Sequence, residues 1–371
     1  MSLPVSTCRP AQSELPTSVP LRWRRTDTVR SAGLFAVITT LHVVAWGVLV
    51  LLVLPRHYTV GTQVFGFGLG VTAYTLGMRH AFDADHIAAI DNTTRKFMAE
   101  GTRPLSVGFW FALGHSTIVV VLAALIAGGT RLASMLLDHG STTHQLLGVV
   151  GVSLSGGFLY LIGLLNLVAF LAIVRVFRRM RRGEFDPVAL EASLQARGLL
   201  ARALQPVMRS VRRPGQMYAV GLLFGLGFDT ASEVTLLVLA GSGAAGGLPW
   251  YAVLLLPLLF AAGMSLFDTL DGTFMTVAYS WAFSNPVRKV YYNLTITGLS
   301  VIVALGIGTI ELVTVLHDKL HLTDPASSTV AALRLDSVGY LVVAIFVLVW
   351  AVAIGYWRLA RVEQRWAAGA G

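Results

Sequence analysis

The chain carries little charge for its length and almost no cysteine. Of its 371 residues only 13% are Asp, Glu, Lys or Arg, while 55% are hydrophobic and the mean hydropathy is +0.70. A water-soluble globular domain of this size could not cover its surface with that balance, so composition excludes an ordinary soluble enzyme. Cys8 is the single cysteine, which excludes an intramolecular disulfide. No apolar run precedes it in the polar amino-terminal tail, so neither a cleaved signal nor a lipoprotein-type anchor is expected. There is no G-x-x-x-x-G-K-[ST], hence no P-loop in the chain, and no ATPase subunit is implied. There is no H-E-x-x-H either, which removes the usual signature of a metal-dependent hydrolase. A serine hydrolase would need Ser116 to meet the adjacent His115, but neighbouring positions on a helix diverge by about 100°.

What the chain has instead is apolar runs of membrane-crossing length. They fall near 32–54, 64–91, 105–127, 146–174, 216–240, 249–271, 291–316 and 336–357. The expected fold is therefore an all-α polytopic membrane protein of eight transmembrane helices. Of its Lys and Arg residues, twenty-three fall in the tails and even-numbered loops, four on the other side (Arg56, Arg131, Lys319, Arg334) and one, Arg79, within a span. The positive-inside rule then places both termini in the cytoplasm of a cell-membrane protein. The net charge of +9 suggests nucleic acid only until its distribution is seen, because no base-reading element accompanies the basic loops.

Residues 1–30 read as a disordered basic tail, 31–175 as helices 1–4, 176–215 as a basic cytoplasmic linker, 216–358 as helices 5–8 and 359–371 as a short tail. The linker contains an amphipathic stretch, "VALEASLQARGLLARAL", and reads as a solvated loop that can meet anionic lipid. On either side of it lie two similar pieces, "LGMRHAFDADH" and "LGFDTASEV", on spans that cross in opposite directions. If they correspond, helices 2–4 and 5–7 form an inverted repeat with a site at their interface near the midplane.

Chemistry concentrates in "RHAFDADHIAAIDNTTRK", residues 79–96, where two histidines and three aspartates sit in the second span. Each ionisable group at bilayer depth costs about 2.5–3.5 kcal/mol, so five together require partners or a purpose. On a continuous helix His80, Asp83 and His86 follow one another at about 60° steps, and Asp91 returns to within about 20° of His80. Asp85 points about 160° away from Asp83, which favours a local break in the helix although no Gly or Pro marks one. Imidazole and carboxylate donors suit a borderline divalent ion such as Ni²⁺, Co²⁺ or Zn²⁺, whereas Mg²⁺ and Ca²⁺ sites use oxygen alone. Two carboxylates also offset the charge of a dication. The alternative is that these groups simply pair across helices, as Arg79 and Asp83 would at i, i+4.

Further polar groups lie at similar depth: His115 in "LGHST", Asp229 and Glu233 in "LGFDTASE", and Asp268 and Asp271 in "GMSLFDTLDG", below Pro257, which should kink its helix. Together they suggest one polar cavity. Without ATP, inward movement of a dication can draw on the membrane potential, about 4.6 kcal/mol per 100 mV, enough for roughly thousandfold accumulation.

At these residues the sequence resembles the nickel/cobalt transporter family, eight-helix permeases of the cytoplasmic membrane. "RHAFDADHI", "LGHST", "LGFDTASE" and "GMSLFDTLDG" are similar to that family's motifs, in order, and the likeness runs from about residue 32 to 357. The resemblance implies uptake of Ni²⁺ or Co²⁺ as a transported substrate, with no resident cofactor and no enzymatic reaction. It implies a metal role for His80, Asp83, Asp85 and His86, and a supporting one for His115, Asp229, Glu233, Asp268 and Asp271. An exporter of the same chemistry is the second reading, but exporters often carry a His-rich cytoplasmic stretch and the linker here has no histidine.

Overall fold

A computed structural model describes residues 23–60, 63–128, 142–181, 211–226, 231–282, 286–333, 340–345, 347–349, 351–352 and 355. Apart from one two-residue hairpin, Thr59–Val60 with Gln63–Val64, the described residues with regular structure are helical. In chain order the helices are α1 (Arg25–Val48), α2 (Phe67–Ala81), α3 (Ala84–Ala99), α4 (Val107–Ala127) and α5 (Thr142–Arg181). There follow α6 (Met217–Phe224), α7 (Ala231–Ala245), α8 (Trp250–Ala282), α9 (Pro286–Leu320) and the short α10 (Pro325–Ala331).

Five helices among the described residues are long and apolar enough to cross a membrane, within Arg25–Arg56, Val107–Ala127, Gly148–Arg175, Trp250–Ser280 and Thr297–Leu320. Large apolar side chains on their outward faces, among them Val43, Leu51, Val121 and Ile302, are exposed. In water such a surface would aggregate, whereas in hydrocarbon it costs nothing. The chain is a multi-pass helical membrane protein. Of the other three expected spans, 64–91 is divided between α2 and α3, and 216–240 between α6 and α7. Of 336–357 only 340–345, 347–349, 351–352 and 355 are described, and the amino-terminal tail to residue 22 and the amphipathic stretch of the linker lie outside the described residues.

Helix α1 begins at Arg25, before its apolar run. Its first turn is fixed by Asp27, which accepts from the Arg24 amide (2.9 Å) and pairs with Arg103 of the α3–α4 loop (2.8 Å). Helix α8 stays helical through Pro257, whose missing N–H is tolerated where neighbouring helices surround the backbone. Beyond α9, Asp324 caps α10 by accepting from the Ser327 amide and hydroxyl, and those bonds hold its carboxyl below the usual carboxylate range.

The core has three parts. The largest joins α1, α2, α4, α7 and α8 through residues such as Ala45, Ala73, Val119, Leu236 and Phe260. A second packs α3, α4 and α6 through Ile90, Phe97, Phe111 and Phe224. The third sets Ala84 and Ala88 of α3 against Leu159 of α5 and Ile307 of α9. Helix α3 thus lies between the central group and the long α5–α9 pair.

Two of the crossings that bring backbones into direct contact share one pattern. Gly77 of α2 lies against the Phe260 carbonyl of α8, and Gly263 of α8 against the Tyr74 carbonyl of α2. Gly114 of α4 lies against the Tyr218 carbonyl of α6, and Gly221 of α6 against the Phe111 carbonyl of α4. Each crossing sets a Tyr-x-x-Gly (74–77 or 218–221) on a Phe-x-x-Gly (260–263 or 111–114). A Cβ on any of these glycines would overlap the facing backbone, which is why only glycine fits.

Gly77→Val should therefore push α2 off α8 and destabilise the protein by about 1–3 kcal/mol. Thermal unfolding of the detergent-solubilised protein checks this; an unshifted midpoint would contradict so close an approach.

Candidate metal centre

Helix α2 ends one residue after His80, and two residues separate it from the start of α3. Between them Phe82 (φ −92, ψ 6) leaves the helical region and Asp83 (φ −65, ψ 143) is extended. The expected local break is present, and Asp83 stands at the N-cap of α3, a position this residue type favours. Its carbonyl accepts the first helical bond, from Ile87 (3.2 Å). Its carboxylate makes no cap bond, because Oδ2 lies 2.8 Å from His80 Nδ1. Asp85 serves the first turn instead, accepting from the His86 amide (2.9 Å) where the helix dipole favours negative charge.

The break brings the histidines together. On an unbroken helix His80 and His86 would lie about 120° apart and about 9 Å along the axis. Their ring centroids are 4.5 Å apart. His115, from the middle of α4, completes a triangle, 4.6 Å from His80 and 4.9 Å from His86 between centroids. One ligand nitrogen from each of the three lies within 4.8 Å of the others, and all three side chains are buried. His80 Nε2 and His115 Nε2 are 2.9 Å apart. Two nitrogens bound at right angles to one ion, each at about 2.1 Å, stand about 3.0 Å apart, so this spacing suits neighbouring ligands of a tetragonal or octahedral ion.

Carboxylates surround the imidazoles. Asp268 of α8 accepts from His86 Nδ1 at 3.3 Å, and Glu233 Oε2 of α7 lies 3.8 Å from His115 Nε2. With Asp83 they supply the negative charge a buried dication needs. Phe111 packs edge-on against His86 at 4.7 Å and Phe260 lies 5.4 Å from His80, so aromatic rings wall the site. These are residues of the two Phe-x-x-Gly segments, so the segments that form the crossings also place rings against the histidines. Both phenylalanines escape a search for donor atoms, since their contribution is exclusion of water.

The structure thus gathers His80, Asp83, His86, His115, Glu233 and Asp268. It does not bring every candidate there. Asp85 is half-buried and engaged with its own helix end. Asp271 is one turn beyond Asp268, with a buried Oδ2 that has no hydrogen-bond partner. Asp229 lies outside the described residues. Asp91, expected to continue the stripe, instead accepts from Tyr279 (2.5 Å) and Ser300 (2.6 Å), joining α3 to α8 and α9. The helical angles that placed it beside His80 assumed a helix without the break.

Comparison with known proteins gives a consistent picture. Residues 66–355 match the profile of a family described as high-affinity nickel-transport protein. The chain is 55% identical over 334 residues to the nickel transporter NicT of Mycobacterium tuberculosis, covering 90% of each chain. It is 42% identical to the nickel transporter NixA of Staphylococcus aureus (89% of this chain, 95% of that one). It is 43% identical to the cobalt transport protein NhlF of Rhodococcus rhodochrous (90% and 93%). No solved structure matches it.

Tyr279→Phe removes one of the two hydroxyls on buried Asp91 and should cost about 1.5–3 kcal/mol of stability while leaving the histidine triangle intact. Thermal unfolding in detergent with and without Ni²⁺ tests both halves: the midpoint should fall, and the stabilisation by nickel should persist.

Proposed function

Because the chain belongs to the high-affinity nickel-transport protein family, we propose that it is a secondary permease importing Ni²⁺, Co²⁺ or both across the cytoplasmic membrane. The observation that carries this reading is the buried triangle of His80, His86 and His115, ringed by Asp83, Glu233 and Asp268. Three neutral imidazoles replace part of the ion's water, and the carboxylates offset its charge. In this reading the histidines hold the ion, Asp83 and Asp85 complete the second-span motif, and Asp229, Glu233, Asp268 and Asp271 line its passage. Membrane lipid is the other partner.

The eight-helix count and the inverted repeat belong to the same proposal. The matched crossings of α2 with α8 and of α4 with α6, each a Tyr-x-x-Gly on a Phe-x-x-Gly, support a repeat that relates helices 2–4 to helices 5–7. A site at the meeting of two such halves can face either side of the membrane by rocking one half against the other. With relatives named for both nickel and cobalt, intrinsic affinity favours nickel and cavity geometry sets the preference.

Uptake of radiolabelled Ni²⁺ and Co²⁺ in cells lacking other importers tests the proposal. His80→Ala, His86→Ala and His115→Ala should each lower uptake at submicromolar metal by more than tenfold, and unchanged uptake in all three would refute the site. Collapse of the membrane potential should abolish accumulation, since about 4.6 kcal/mol per 100 mV is then lost. Expression that lowers cell metal would instead establish an exporter.

A further inference from the structure

Each imidazole has two nitrogens on different sides of its ring, and a histidine can offer a lone pair to a metal from only one of them while the other holds the proton. Which nitrogen is free is decided by the partner of the other. For His86 the structure gives both halves of that answer. Nδ1 is 3.3 Å from Asp268 Oδ2, and both side chains are fully buried. Nε2 is buried and has no hydrogen-bond partner. An ionised carboxylate only accepts, so Nδ1 carries the proton and Nε2 presents its lone pair.

We infer that Asp268 is a positioning residue, fixing the ring and tautomer of His86 so that Nε2 faces the transported ion, and that it is not itself a ligand. The inference rests on the transport site proposed above and deepens it. An ion on Nε2 at about 2.1 Å lies across the ring from Nδ1, which leaves an oxygen hydrogen-bonded to Nδ1 roughly 7 Å from the metal. The backbone holds Asp268 in that place: its carbonyl lies against Gly108 of α4, where a Cβ would overlap it, so α8 cannot move closer to α4 at this point without a collision. Phe111 against the face of His86 restricts the ring from another side. The competing arrangement is direct ligation through Asp268 Oδ1, which is buried without a hydrogen-bond partner.

The two arrangements separate in nickel X-ray absorption on the full-length protein purified in detergent, with Ni²⁺ affinity measured on the same samples. In the unmodified protein the bound nickel should show scattering from three imidazoles. Asp268→Asn keeps an oxygen that can accept from Nδ1, so all three imidazoles should remain and affinity should fall by no more than about tenfold. Asp268→Ala releases the ring, so one imidazole should be lost and affinity should fall about 10- to 100-fold. If Asp268→Asn instead removes an oxygen donor while the imidazole count stays at three, Asp268 is a ligand and the inference is overturned. Should Asp268→Ala not fold, the donor count in Asp268→Asn decides alone. Nickel bound without imidazole scattering in the unmodified protein would overturn the transport site itself, and with it this assignment.

Discussion

A histidine or aspartate placed among hydrocarbon is costly unless its polar atoms find partners, and this chain interrupts a helix where the polar residues are densest. At Phe82 and Asp83 the backbone leaves the helical region and returns within two residues. The interruption folds His80 and His86 toward each other, frees the Asp83 carboxylate to meet His80, and turns the dipole of α3 toward the site. An unbroken second span would spread the same residues around a cylinder. Irregular backbone at this depth is tolerated only where protein surrounds it or where it lines a cavity, and here the residues of the break are buried or half-buried within the protein.

The rest of the packing serves to hold two half-helices in place. Glycine contacts bring α2 onto α8 and α4 onto α6 at the closest distance backbones allow, and the aromatic residues of the same segments close the walls around the imidazoles. Helix α3 is secured on its far side by Asp91, held by hydroxyls from α8 and α9, and by Lys96, which donates to the Val211 carbonyl at the end of the basic linker (2.6 Å). Two polar clusters therefore lie along α3. The first gathers nitrogen donors that can take an ion's water, while the second spends its polar atoms on neighbouring helices.

That division explains why so many charged groups can share one apolar bundle. A carboxylate with two hydroxyl donors, as at Asp91, is satisfied without any ion. Around the histidines the balance is different, because three carboxylates lie beside three rings, a donor set whose negative charge a dication would offset.

Much of this was legible in the residues themselves. Apolar runs and sparse charge establish a helical membrane protein, and His80, Asp83, His86 and His115 declare a nitrogen-rich site, because polar groups in oil are too costly to be incidental. The mismatch of Asp85 with the helical arc announced the break as well. Other features depended on neighbours that spacing cannot name. Asp91 and Asp268 are the same residue type at similar depth, yet one binds two hydroxyls and the other an imidazole, and only the crossing of α8 over α3 and α4 decides which. The likeness of the two crossings was equally hidden, because it lies in which glycine touches which carbonyl. Sequence determined the chemistry available within the membrane, since solvation energy acts on each residue wherever it lies. Tertiary structure decided which of those groups meet, since contact depends on how separate helices cross.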